Sequence, residues 1–376
     1  MNAERLHVIL ISLSKEIKER KITSNLQDLV TSLQNVVNNP HPTHQQSLAN
    51  SLKAMYLAVS DTRSDKFSPT WRQILAEIGG EGLFGSALKK TVEDIFARNQ
   101  ITPAVALQEL QQLLKQIESF EVAVENGISA FGSFKIGNES LSAGECEIGI
   151  LIPRQAVENQ LTCFADELNE LAFILNTFSE VATGKKDDLI IKSISSSDLM
   201  VYLNAVAPYA ACLAIAIERI VALYKQLLEI RKLRHEIQKQ GVPETDTSGI
   251  EQYANELMEK GIKKLAGEIV DQFYKKRDDG RKNELKNAVT ISLNRLATRI
   301  DKGFNLEVRV QPLPTKDQEA KQDLELRSAV ELIQKASQNM QFLKLDGPPI
   351  LKLEDGKGKK KAKPSGDQSS SQNKVG

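Results

Sequence analysis

The sequence predicts a mainly α-helical protein with a minor β component, and three observations carry that prediction. Apolar residues recur at 3,4 spacing through most of the 376 residues. Aromatic residues make up only 5% of the chain, while good helix formers such as Leu, Ala, Glu, Lys and Gln are abundant. Periodicity changes near residue 127, where glycine and serine become frequent, and short apolar runs beyond that point read as strands.

Leu6, Val8, Ile9, Leu13 and Ile17 form one apolar stripe and Leu26, Leu29, Leu33 and Val37 a second, so residues 4–38 read as two helices. Ser24 or Asn25 is the expected N-cap of the second, and Asn38-Asn39-Pro40 its stop. HPTHQQ (41–46) reads as a polar loop before a third helix through Leu48, Leu52, Met55, Tyr56 and Val59. Ser68 and Pro69 supply an N-cap and a first-turn proline for the next helix, which ends in GGEGLFG. Another helix follows from Ser86 to about Asn99, and Thr102-Pro103 opens one carrying Val105, Leu107, Leu110, Leu113, Leu114 and Ile117.

ECEIGILIPR then reads as a buried strand halted by Pro153, and a long helix covers 155–183 with Gly184 at its C-terminal cap. Asp188–Ser195 is a second strand, and strand–helix–strand suggests a parallel crossover. After the central stretch, residues 250–276 and 285–300 return to helical spacing, and Leu306–Val310 alternates like a half-buried strand. Lys316–Met340 is an amphipathic helix, and PPILKLE reads as a last short strand. The tail from Asp355 lacks apolar residues apart from Ala362 and Val375 and reads as disordered. The organisation is therefore a helical segment over 1–126, a small α/β element with one long helix over 127–196 and a long-helix region with a terminal strand over 197–312. A C-terminal helix with its short strand (313–354) and a basic tail (355–376) complete it.

Lys+Arg and Asp+Glu are balanced at 49 each, so no overall field steers the chain onto nucleic acid or membrane. With a single tryptophan, Trp71, a base-stacking surface is disfavoured. Cys146, Cys163 and Cys212 are widely spaced and odd in number, which suggests reduced core thiols and a cytoplasmic setting. The N-terminus has no apolar region followed by a small-residue cleavage site.

Several motifs approach recognisable chemistry. Gly80-x-Gly82-x-x-Gly85 has dinucleotide-fingerprint spacing, but a helix rather than a strand precedes it. Thr183-Gly184-Lys185-Lys186 lacks the upstream glycine and the Ser/Thr of a phosphate loop. His41 and His44 lie close together, but two ligands make neither a closed nor an open zinc site. Asp301 with Glu307-x-Arg309 approaches a nuclease pattern in which arginine stands where a titratable lysine is needed. Glu145 and Glu147 share a strand face, and Asp187 and Asp188 complete the acids near which a non-local catalytic cleft would be sought. No catalytic, cofactor or metal residue is assigned.

The central stretch, Ser195–Gln240, gives the functional expectation. Residues 199–217 form the most apolar run, with Leu199, Val201, Leu203, Leu213, Ile215 and Ile217 as candidate membrane contacts. Ser197-Asp198 caps a short helix on this reading, and Ala207-Pro208 starts the next. Downstream, Ile220, Leu223, Leu227, Ile230 and Ile237 form a coiled-coil-like seam with Arg234 within it. The expectation is a non-enzymatic cytoplasmic interaction or scaffold protein, a homo-oligomer or partner binder using the 207–240 helix. The alternative is conditional membrane association through 199–217. Lys357, Lys359, Lys360, Lys361 and Lys363 offer a weak attraction for nucleic acid or lipid headgroups.

Overall fold

The computed structural model describes residues 3–137, 140–195, 199–241, 243, 247–275, 278–313 and 321–353. The basic tail and the Ser197-Asp198 cap lie outside these residues. The mainly helical prediction holds: the described residues form twelve α-helices and four strands, and the buried apolar side chains fall into two cores.

The first core belongs to α1 (Ala3–Arg20), α2 (Ile22–Asn38), α3 (Pro42–Ala58), α4 (Pro69–Glu77), α5 (Gly85–Arg98) and α6 (Pro103–Ser133). Ile9, Leu13 and Ile17 of α1 meet Leu26, Leu29 and Leu33 of α2 inside it. Ser68 caps α4 through the Trp71 amide, as its position before Pro69 predicts. Three boundaries differ from expectation. Helix α2 starts at Ile22 after a left-handed Lys21, and Asn25 donates back to the Arg20 and Lys21 carbonyls instead of capping. Residues 42–46 are helix, because His41 caps them by accepting from the Thr43 amide and Pro42 suits the first turn. Helix α6 runs on past residue 127 to Ser133 despite its glycines.

The second core is built on a four-stranded sheet of order β2-β3-β1-β4. The strands are β1 (Cys146–Ile152), β2 (Ile191–Ser195), β3 (Leu199–Ala205) and β4 (Asn305–Val310), and every neighbouring pair is antiparallel. The expected crossover exists, but β1 and β2 are not adjacent: β3 lies between them. Helix α7 (Leu161–Thr183) links β1 to β2, and α8 (Ala207–Lys225) follows β3. This is the strand order of a split β-α-β-β-α-β motif, with α9 (Leu228–Lys239), α10 (Ser248–Phe273) and α11 (Asp279–Asp301) inserted before β4. Helix α7 begins later than expected, since a short 3-10 turn and left-handed Glu158 and Asn159 precede it.

The register separates two sheet faces. Cys146, Ile148, Ile150 and Ile152 align with Val201, Leu203, Leu306 and Val308 and bury against α7 and α8. The opposite face carries Glu147, Gly149, Tyr202, Asn204, Glu307 and Arg309.

Residues 199–217 are therefore not one apolar helix. Leu199, Val201 and Leu203 lie in β3, an inner strand, and the expected short capped helix is replaced by that strand. Leu213, Ile215 and Ile217 lie in α8, where they are buried among α7, α10, α11 and α12 (Lys321–Asn339). Among the described residues α8 is the one helix long and apolar enough to cross a membrane, and it is the central helix of the second core. In 199–205 the alternate residues Leu199, Val201 and Leu203 pack against the second core, while the alanines of α8 let the surrounding helices approach closely.

The long helix expected over 207–240 breaks at Gln226-Leu227. The seam does not face outward as a unit. Ile220 and Leu227 are fully buried in the chain's own core, Leu223 packs beside Gly261, and Ile230 and Ile237 are half-buried. PPILKLE is not a strand. The Ile350 and Leu351 amides donate to Asp301 Oδ2 at 2.8 and 2.7 Å, so the segment is a strap tied to a side chain. Arg231 binds Asp301 Oδ1 at 2.8 Å, and Tyr224 donates to the same oxygen. Asp301→Ala strands this guanidinium, and we expect a loss of about 3–5 kcal/mol in urea unfolding. Amide exchange at Ile350 and Leu351 should accelerate with it; unchanged protection there would contradict the strap's dependence on Asp301.

Candidate ligand-binding site

Helix α1 presents two stripes. Ile9, Leu13 and Ile17 enter the first core, whereas Arg5, Val8, Ser12 and Lys15, also at 3,4 spacing, face toward the sheet. Arg5 reaches Glu147 with two hydrogen bonds, Nη1 to Oε1 at 2.7 Å and Nη2 to Oε2 at 2.9 Å. The pair is 2% and 1% exposed. The Arg5 guanidinium also lies over the Tyr202 ring, 3.2 Å from its centroid. Arg309, opposite Glu147 in the ladder, adds a contact to Oε1 at 3.2 Å. Burial pushes the Glu147 carboxyl up, but the Arg5 hydrogen bond and the Arg309 and Arg5 charges outweigh it and hold the group below its ordinary range.

Glu307, one turn of the ladder along β4, sits at the N-terminus of α4. Its Oε2 accepts from the Thr70 amide at 2.9 Å, where the helix dipole favours negative charge. Complete burial pushes its carboxyl above the ordinary value of 4.5, offset in part by the Thr70 amide, Ser68 and Arg309. From the other side of α4, Arg72 donates to the Ser337 and Met340 carbonyls at the end of α12. Gly149 lies between Tyr202 and Glu307, where an added Cβ would stand 3.1 and 3.2 Å from their side chains.

Because this sheet face is polar, the two apolar cores do not merge, and a half-open cleft of about 470 Å³ remains between them. Lys15 of α1, Arg63 and Lys66 before α4, and Arg309 of β4 line it, and among the described residues no carboxylate does. Trp71 forms a wall, with the Arg309 guanidinium 4.8 Å from its ring centroid and Phe67 edge-on at 5.0 Å. Arg63 pairs with Glu19 at 2.7 Å and Lys66 with Asp61 at 2.8 Å, both exposed pairs that hold their cations weakly. Lys15 has no ion-pair partner among the described residues. A second groove of about 590 Å³ beside Gly184, Pro208 and Leu324 is mostly apolar and carries one lysine and one glutamate, so it has no charge preference.

The residues singled out from the sequence are dispersed. Glu145 accepts from the Ser142 amide and Lys192, Asp187 bonds to Ser179 and Lys185, and Asp188 is exposed, so these acids form no common cleft with Glu147. Asp301 is tied to the C-terminal strap, away from the Glu307 and Arg309 network. The N-terminus of α5, where the glycine motif would place a phosphate, is occupied by Asp65, whose Oδ1 accepts from the Ser86 amide at 2.8 Å. Gly85 at φ +55° permits that approach, since a Cβ there would lie 2.5 Å from the carboxylate. Gly184 caps α7 with φ +77°, and Lys185 beside it pairs with Asp187. Among the described residues no group of three or more His, Cys, Asp or Glu gathers as metal ligands do.

Sequence reasoning missed Lys15, Arg63 and Lys66 as a set, and it noted Trp71 and Arg309 only for other purposes. One signal was present: the second stripe on α1, charged at both ends, has no role in the first core. Comparisons with protein-family models, with curated proteins and with solved structures give no match.

Glu307 supplies a pH test. Its raised pKa means the folded state holds the proton more tightly than the unfolded chain does. That contribution is present below about pH 4.5 and is lost as the pH rises through the raised value. Glu307→Gln keeps an acceptor for the Thr70 amide and removes the buried charge. The variant should be more stable than the parent at pH 7 in denaturant melts, with the difference shrinking toward pH 4.5; a constant difference would contradict the assignment.

Proposed function

We propose that this protein is a non-enzymatic binding protein whose cleft between the two cores receives a small organic anion. The observation that carries the reading is the lining: four cations from three separate segments and no carboxylate, around a volume in the usual range for small-molecule sites. Lys15 has no ion-pair partner among the described residues and the pairs of Arg63 and Lys66 are exposed, so an anion in the cleft can draw on all three charges. Among the described residues the lining offers lysine and arginine but no histidine, aspartate or glutamate to move a proton near neutral pH, which supports binding over bond-making. The acids that touch its cations are engaged in ion pairs, Glu19 with Arg63, Asp61 with Lys66 and Glu147 with Arg309 and Arg5.

Self-association through Ile220, Leu223, Leu227, Ile230 and Ile237 has less behind it, because Ile220 and Leu227 are interior. Membrane insertion of 199–217 would have to dismantle an inner strand and the central helix of the second core.

Trp71 is the sole tryptophan and lines the cleft, so its emission is a built-in reporter. Titration with nucleoside triphosphates and with inorganic tripolyphosphate should give a saturable change for at least one of them, weakening as salt is raised. Lys15→Glu or Arg63→Glu should lower affinity about tenfold or more, the scale of one lost charged hydrogen bond. Absence of any change, together with no shift in melting temperature at millimolar ligand, would overturn the proposal.

A further inference from the structure

The cleft's interior narrows the ligand class beyond "anion", an inference that rests on the anion-binding reading. Its cations are not evenly distributed. Lys15, Arg63 and Lys66 are exposed at the rim, while Arg309 is only 11% exposed and its guanidinium lies 4.8 Å from the Trp71 ring centroid. Three rim cations from two segments suit a chain of phosphates better than a single one, because each phosphate offers several oxygens and up to two charges.

The inner surface is neither purely apolar nor charged. The half-buried Ser12 and Gln334, the buried Ser337 and the exposed Gln311 line the cleft, and their side chains have no hydrogen-bond partner among the described residues. Primary amides present a donor and an acceptor together, which matches the edge of a nucleobase. In the Trp71 wall, the indole Nε1 and the Arg309 Nε are buried donors with no hydrogen-bond partner among the described residues. Heteroaromatic bodies stack on tryptophan and on guanidinium planes, and their ring nitrogens and carbonyls accept from such donors.

Two other anions fit less well. An acyl chain would bury the serines and glutamines against hydrocarbon, at a cost for every unpaired group. Inorganic polyphosphate would use the rim and leave the aromatic wall unused. We infer that the cleft binds a nucleoside polyphosphate, with its base among Trp71, Arg309, Gln311 and Gln334 and its phosphates on Lys15, Arg63 and Lys66.

Calorimetry on the full chain tests this with the four common nucleoside triphosphates, the matching nucleosides, inorganic tripolyphosphate and dodecyl phosphate below its micellar concentration. One triphosphate should bind at least about 100-fold more tightly than its nucleoside or tripolyphosphate, the gain expected when two weak subsites are joined. Gln334→Ala, a change compatible with the helix at a half-buried position, should weaken the nucleotide and leave tripolyphosphate affinity unchanged. Lys15→Glu should weaken both. Equal affinity for tripolyphosphate and every nucleotide would overturn the nucleotide assignment while leaving anion binding in place. Tighter binding of dodecyl phosphate than of any nucleotide would overturn it in favour of an amphiphile. If none of the probes binds, both proposals fall.

Discussion

One carboxylate, Glu147, decides how the two halves of this molecule meet. It is carried on the inner strand β1, it is almost wholly buried, and it faces the helical half rather than the core beneath the sheet. A buried carboxylate without partners costs several kcal/mol, on the order of what holds a whole domain folded. The bidentate Arg5 contact, with Arg309 beside it, removes that cost in only one relative placement of α1 and the sheet. Apolar contact alone tolerates sliding; a two-pronged ion pair does not. Glu307 at the head of α4 and Arg72 at the foot of α12 add two further fixed points, so the helical half is held at three places.

The cleft follows from the same constraint. The sheet's apolar face is covered by α7 and α8, and its polar face is spanned by α1 and α4, which touch it through long side chains. Contacts of that kind keep backbones apart, and the space between them is lined by whatever those elements do not commit to the ion pairs. On α1 that remainder is Ser12 and Lys15; on β4 it is the outer side of Arg309. Scaffold and cavity are consequently made from the same stripes of residues.

The fold was legible where local chemistry acts alone. Ser68-Pro69, Thr102-Pro103, Pro153 and Gly184 mark boundaries because capping, a fixed φ or a left-handed cap is decided within a few residues. Leu199–Ala205 was not legible as a strand, because a fully buried strand and a buried helix both read as a continuous apolar run. The neighbour of each strand was equally hidden: β3 lies between β1 and β2 through pairing that no spacing records. The cleft residues escaped for a related reason. Lys15, Arg63, Lys66, Trp71 and Arg309 come from segments that become neighbours only after the halves dock, so no motif links them. What the sequence did hold was the uncommitted stripe on α1 and the alternation of Glu307 and Arg309, each half of a contact whose other half lies far away.

The distances along the chain across this junction have a consequence for how the molecule is made. Arg5 and Glu147 are 142 residues apart, Glu147 and Arg309 162, and Thr70 and Glu307 237. Synthesis runs from the N-terminus, and domains fold largely as they emerge from the ribosome. The first core has all its helices by Ser133, while the sheet lacks an edge strand until β4 has been translated. A nascent chain thus carries a finished helical half before the cleft exists, since the cleft's lining is completed only by β4 and then by Ile333, Gln334 and Ser337 of α12. Premature termination before β4 therefore leaves the helical half without the sheet edge and α12 residues that wall the cleft.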